Sequence, residues 1–235
     1  MISKERMEKL VSLAQQESIK NGRNRYVERI EQAVADSKNA KMIYLFSTCV
    51  DTADTKKLLS ALIETKDYKY LTLFAQYVPD VDVKLIEDVI VQSGNVEAVV
   101  YFAKTIENEK VDINRLERTV INSGYPKSLW DFASNVRQAD IGAIEVALIN
   151  THNAKYIYMS ALDVLSFDVN RLALAIIETG DIKYIYKYLV KLGADCNYEI
   201  RQLLKAKIKE FKTENTYLAM KLKIKETDPE VEQLC

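Results

Sequence analysis

Residues 168–192 read DVNRLALAIIETGDIKYIYKYLVKL, and this stretch decides the fold. Asp168 opens it, and Leu172, Ala175, Ile176 and Ile177 follow at +4, +7, +8 and +9. Thr179-Gly180-Asp181 interrupts, and Ile185, Tyr188, Leu189 and Leu192 resume at i, i+3, i+4 and i+7. That spacing predicts two short amphipathic helices. Gly180 suits the left-handed turn that stops a helix, and Asp168 and Asp181 suit the N-cap that starts one.

The interrupting loop recurs along the chain. Ser37-Lys38-Asn39, Thr65-Lys66-Asp67, Ser93-Gly94-Asn95, Ser123-Gly124-Tyr125, Thr151-His152-Asn153 and Thr179-Gly180-Asp181 stand at spacings of 28, 28, 30, 28 and 28. Eleven residues before five of them is an Asp: Asp54, Asp82, Asp112, Asp140 and Asp168. The first copy has Tyr26 in that column but keeps Ile30, Ala33, Val34 and Ala35. After each loop comes the second apolar set, for example Leu71, Phe74, Ala75, Val78 and Val99, Phe102, Ala103, Ile106. A helix of about eleven residues is roughly 16 Å long and marginal alone in water, so each hairpin needs a neighbour. Self-similarity at a fixed period is what stacked arrays show.

The expected fold is therefore all-α: a right-handed α-solenoid of six short two-helix repeats with capping helices at both ends. Residues 1–25 form the N-terminal capping helix, 26–197 the six hairpins, and 198–235 a basic C-terminal cap and tail. Asp195 falls in the Asp column, with a longer helix from about Tyr198 to Phe211 and a last one from about Glu214 to Lys225. Thr227-Asp228-Pro229 would stop that helix.

On these residues the chain resembles α-solenoids built from helical hairpins, in the manner of HEAT or ankyrin-type arrays. Its period is shorter, and it lacks the ankyrin Thr-Pro-Leu-His and the TPR Trp…Leu-Gly patterns. The run Thr179–Tyr186 resembles units in uncharacterised repeat proteins of bacteria and their phages. The resemblance covers about residues 26–197, carries no catalytic motif, and implies a binding scaffold.

Composition narrows the function classes. The 235 residues are 48% hydrophobic and 29% charged, with only 6 Gly and 3 Pro, too few for a turn-rich β protein. A net charge of −1 gives no global pull toward nucleic acid or an anionic membrane. Cys49, Cys196 and Cys235 are scattered and form no metal or disulfide motif. No apolar leader or membrane-length run occurs, so a cytoplasmic, membrane-free protein without cofactor or metal is expected.

Three patterns remain as candidate sites. His152, the only histidine, replaces a loop glycine, and the plainer reading is an exposed turn residue rather than a general base. The Asp column is read as N-caps; hairpins about 8–10 Å apart would hold these carboxylates too far apart to share a cation. The third pattern points to binding. Lys41, Lys69, Lys127, Lys155 and Lys183 follow the loop in five of six copies, in a first turn where the helix dipole disfavours cations. Fourteen tyrosines accompany them, many flanking the core position of the second helices, with Trp130 in the column of Tyr158 and Tyr186. These rings serve either to pack one hairpin on the next or as an aromatic binding ridge.

The charge is also unevenly placed: residues 201–225 hold eight basic residues against Glu210 and Glu214. Either a solubilising cap or an oriented electrostatic contact would account for that. The expectation is a non-enzymatic protein-binding scaffold, adaptor or inhibitor. The alternative is a nucleic-acid-binding or nucleic-acid-mimicking protein, such as a phage-encoded inhibitor of a host defence, acting through the lysines or the basic C-terminus. The phase of the second helices is directly testable. Phe102→Ala is expected to cost about 3–5 kcal/mol in denaturant unfolding, as for a ring deleted from a packed core.

Overall fold

The computed structural model describes residues 4–214. These residues form fourteen α-helices and one 3-10 turn, with no strand among the described residues. A leading helix, α1 (Lys4–Asn21), precedes six pairs. They are α2 (Arg25–Asp36) with α3 (Ala40–Cys49), α4 (Thr55–Thr65) with α5 (Tyr68–Tyr77), and α6 (Val83–Gln92) with α7 (Val96–Thr105). Then come α8 (Ile113–Ser123) with α9 (Pro126–Asn135), α10 (Ile141–Asn150) with α11 (Ala154–Asp163), and α12 (Val169–Thr179) with α13 (Ile182–Leu192). The last described helix, α14, spans Tyr198–Glu214. The expected final helix to Lys225, its stop at Thr227-Asp228-Pro229 and the tail to Cys235 lie outside the described residues.

The chain divides into two compact units, Met1–Thr119 and Val120–Cys235. In the first, α1 packs on α2 and α3, and α3, α5 and α7 pack in succession. In the second, α9, α11 and α13 pack in succession, and α14 closes on α12 and α13. The residues that bury these contacts are those of the apolar columns. Ile43, Leu71, Val99, Leu129 and Ile157 are fully buried, as are Phe46, Phe74, Phe102 and Phe132. On the first helices of each pair, the +4 and +8 positions carry the burial: Leu58 and Leu62, Ile86 and Ile90, Leu172 and Ile176. The +7 and +9 positions Ala61, Ile63, Val89 and Val91 are only half-buried.

The last apolar position of the second helices departs from expectation. Val50, Val78, Ile106, Val136 and Val164 are C-caps in extended backbone, not helical residues. Each donates its amide to the carbonyl four residues back while burying its side chain against the core. Two members of the ring column also differ. Tyr188 is buried and donates its hydroxyl to the Val169 carbonyl at 2.6 Å. Burial holds that phenol well above its ordinary pKa. Ser160 is buried with its hydroxyl unpartnered.

The loops close by one device. The middle residue has positive φ in every copy, whether it is Gly94, Gly124 and Gly180 or Lys38, Lys66 and His152. The Ser or Thr before it donates to the carbonyl three residues back and accepts from the amide two residues on. Thr179, for example, reaches the Ile176 carbonyl at 2.7 Å and the Asp181 amide at 3.2 Å. Ser37, Thr65, Ser93, Ser123 and Thr151 do the same. The third residue then caps the next helix: Asn39, Asp67, Asn95, Asn153 and Asp181 all accept from its first free amides. Tyr125 has no capping side chain, and Pro126 starts α9 instead, with no amide to satisfy.

The Asp column behaves as N-caps. Asp54, Asp82, Asp112, Asp140 and Asp168 each accept from the amide three residues on, at 3.0–3.2 Å. In the first copy, which lacks the Asp, Asn24 caps α2, accepting from the amides of Tyr26 and Val27. Asn197 rather than Asp195 caps α14, accepting from the Ile200 amide at 2.9 Å. Its own amide is held by the Asn170 side chain at 2.8 Å, a long-range tie that the chain spacing does not reveal.

A second long-range tie was also invisible to the apolar pattern. Glu31, Glu87, Glu117 and Glu145 are buried side by side with the core residues of the first helices. Three of them accept the amide of the next Asp cap: Asp54 to Glu31 at 2.9 Å, Asp112 to Glu87 at 3.0 Å, and Asp168 to Glu145 at 2.9 Å. A cation three residues beyond that cap pairs with each: Lys57 at 3.2 Å, Arg115 at 3.4 Å and Arg171 at 3.1 Å. Arg23 adds a second cation to Glu31 at 3.0 Å. Burial alone would raise the Glu31 pKa. The bonds from Arg23, the Asp54 amide and Lys57 outweigh it and hold the carboxyl below the usual carboxylate range.

Two expected outcomes follow from these joints. Glu31→Gln should cost about 1.5–3 kcal/mol at neutral pH, the worth of hydrogen bonds to a buried charge. A depressed carboxylate stabilises above its unfolded pKa and stops doing so as pH falls through its folded one. The gap between wild type and variant should therefore narrow in thermal melts as pH falls below the ordinary carboxylate range; a gap that stays constant on acidification until the chain unfolds would contradict the assignment. The left-handed site at His152 costs about 1–2 kcal/mol for a non-glycine residue, against the backbone entropy that glycine loses. His152→Gly should thus gain about 0.5–1 kcal/mol and raise Tm by about 2 °C, while Gly180→Ala should lower it.

Candidate partner-binding surface

The lysines that follow the loops sit in the first turn of the second helices, where an Asn or Asp cap satisfies one free amide in every copy but that of Lys127. In the first unit, Lys69 is exposed, and Lys41 is half-buried with its ammonium 3.8 Å from Glu8 of α1. In the second unit, Lys127, Lys155 and Lys183 are exposed on α9, α11 and α13. These three helices pack in succession, so their outer faces form one surface.

The rings on that surface are arranged diagonally. A ring one residue after the core position of one helix meets the ring one residue before the core position of the next. Trp130 lies 6.1 Å from Tyr156, and Tyr158 lies 5.9 Å from Tyr184, both tilted by somewhat under 50°. Tyr158 also meets Tyr188 edge-on at 6.4 Å. The first unit repeats the arrangement with Tyr44 and Tyr70 at 5.8 Å. Of the expected column, Trp130 and Tyr158 thus form ring pairs across the α9–α11 and α11–α13 contacts. Tyr186 is half-buried on α13. Such pairs add about 0.5–1.5 kcal/mol beyond area burial, so packing between hairpins is one role these rings have.

Their other role is to hold lysines. Lys155 lies over Tyr156 at 5.1 Å and Lys183 over Tyr184 at 5.6 Å. Lys187 sits over Tyr184 at 5.2 Å and over Tyr158 at 6.0 Å, bridging rings of α11 and α13. Burial, and then the neighbouring Tyr184, raises the Tyr158 pKa, so this phenol stays a hydrogen-bond donor through the neutral range. Trp130 donates its indole N–H to Asp163 at 2.9 Å, which fixes the indole at the rim of α9 and α11.

Lys187 and Lys191 were missed in the sequence. The signal was present: with Lys183 they stand at i, i+4 and i+8 on a helix containing no acidic residue. Like charges at that spacing oppose the helix by a few tenths of a kcal/mol each. His152 is exposed in its left-handed turn. Two shallow hollows lie elsewhere. One, of about 340 Å³, is lined by Ile121, Ala143, Val146 and Ala147 and bears no titratable group. The other, of about 490 Å³, lies beside Tyr77, Pro79, Asp80 and Lys110. Among the described residues no three His, Cys, Asp or Glu side chains gather as a metal would require, and no helix is long and apolar enough to cross a membrane.

No family model, curated protein or solved structure matches this chain.

Proposed function

We propose that this chain is a non-enzymatic protein-binding module, an α-solenoid of six helical hairpins whose second helices present the contact face. The observation that carries this reading is the lysine-over-ring surface of α9, α11 and α13. Lys155, Lys183 and Lys187 are each placed over a tyrosine ring, and the rings in turn are braced across helix contacts. A surface held in place before a partner arrives loses little side-chain entropy on binding. Tyrosine, tryptophan and cations on a rigid support are the residues that concentrate interface energy. The hairpin joints supply part of that support, because buried glutamates at three of them tie one hairpin to the next within a unit.

Protein partners are favoured over a polynucleotide because the cationic face is short and the chain as a whole carries a charge of −1. The test is affinity capture from nuclease-treated native extract, comparing the wild-type chain with Lys127→Glu/Lys155→Glu/Lys183→Glu. The variant is expected to keep its helical circular dichroism and to lose a protein that the wild type retains. Equal capture by both chains, or capture abolished by nuclease, would overturn the assignment of this face.

A further inference from the structure

The exposed side of α13 carries three lysines and no acid, and α11 adds a fourth beside them. Lys183, Lys187 and Lys191 rise by about 6 Å per step along α13, and Lys155 lies on the adjacent helix. Among the described residues no carboxylate pairs with any of the four. Two of the neighbouring acids are already engaged. Asp163 accepts from Trp130, and Asp181 accepts from the Lys183 and Tyr184 amides. A run of unpaired like charge, locally unfavourable and braced by rings, calls for an anionic occupant.

The rings say which kind. Single-stranded nucleic acid is gripped by stacking bases on open aromatic faces. Here Tyr158 and Tyr184 meet at 5.9 Å with a 48° tilt, and the Lys187 ammonium stands over both rings. What is exposed instead is a set of ammonium donors. Carboxylate oxygens satisfy such donors one by one, and no flat base need intercalate.

We propose that the α11–α13 face receives an acidic segment of a protein partner, with carboxylates about 6 Å apart, as at i and i+4 of a helix, seated on Lys155, Lys183, Lys187 and Lys191. This rests on the protein-binding reading above and names the partner's chemistry. The occupant's charge and the receiving charge repeat at the same rise, so the pairing sets register as well as attraction.

The experiment uses the full chain and three labelled probes in fluorescence anisotropy. One is an alanine-based helical peptide with glutamates at i and i+4, one is its glutamine counterpart, and one is a twenty-nucleotide oligo-dT. The glutamate peptide is expected to bind at least tenfold tighter than the glutamine peptide. Lys183→Gln/Lys187→Gln/Lys191→Gln should weaken it at least tenfold with the helical dichroism unchanged. If that triple variant loses helicity, Lys187→Met alone, which keeps the stem over the rings, should still weaken binding about threefold. Equal binding of the two peptides would overturn the proposal, as would peptide binding indifferent to the lysines. So would oligo-dT binding that is tighter and is lost on Tyr158→Leu/Tyr184→Leu, which would assign the face to single-stranded nucleic acid. If the peptides fail while the charge-reversal variant still loses its captured protein, the protein-binding face stands and only its acidic partner falls.

Discussion

A ten-residue α-helix leaves four amides and four carbonyls without partners inside itself, nearly as many as it bonds. This chain is made of such helices, and everything else depends on how those ends are satisfied. Its answer is to make each end serve two helices. The Ser or Thr of every loop accepts an amide of the coming helix and donates to a carbonyl of the finished one. The positive-φ residue beside it reverses the chain in a single step, and the next Asn or Asp caps at once. Helices too short to stand alone are thereby joined into hairpins with almost no irregular chain between them.

Joining hairpin to hairpin uses a buried charge. A carboxylate among core residues is costly unless its lone pairs are filled. Glu31, Glu87 and Glu145 fill theirs with the amide of the following Asp cap and with a cation of the following helix. Apolar packing is tolerant of small slides, whereas a hydrogen-bonded carboxylate is not. The glutamate therefore sets where the next helix begins. Where the column holds Leu59 or Ala173 the joint is made otherwise, and at the last one Asn170 takes the amide of Asn197. The 28-residue period is thus compatible with more than one fastening.

The same economy shapes the outer face. Rings that brace one second helix against the next also position the lysines above them, so that Lys187 is held by Tyr158 and Tyr184 at once. Packing and presentation are not rival explanations for these tyrosines. The interior side of each ring pair stabilises the helix contact, and the ammonium above it remains available to an anion. Ser160 stands in the ring column with a buried, unpartnered hydroxyl, and nothing in its surroundings explains that choice.

The sequence by itself determined the helical class, the six loops, the N-capping aspartates and the apolar columns. Each of these is local, written in the spacing of a few residues and in what Gly, Asp and β-branched or aromatic side chains do to nearby backbone. It also marked Lys155 and Lys183 as surface candidates, through the conflict between a cation and a helix start, and Tyr158 and Trp130 through their column beside the core position. Tertiary structure alone decided the diagonal ring pairs, since Trp130 meets Tyr156 rather than a member of its own column. It alone decided the fate of the glutamates, which a hydropathy pattern reads as exposed. A carboxylate can be buried only when partners 23–28 residues away arrive to meet it, and no short-range rule carries that information.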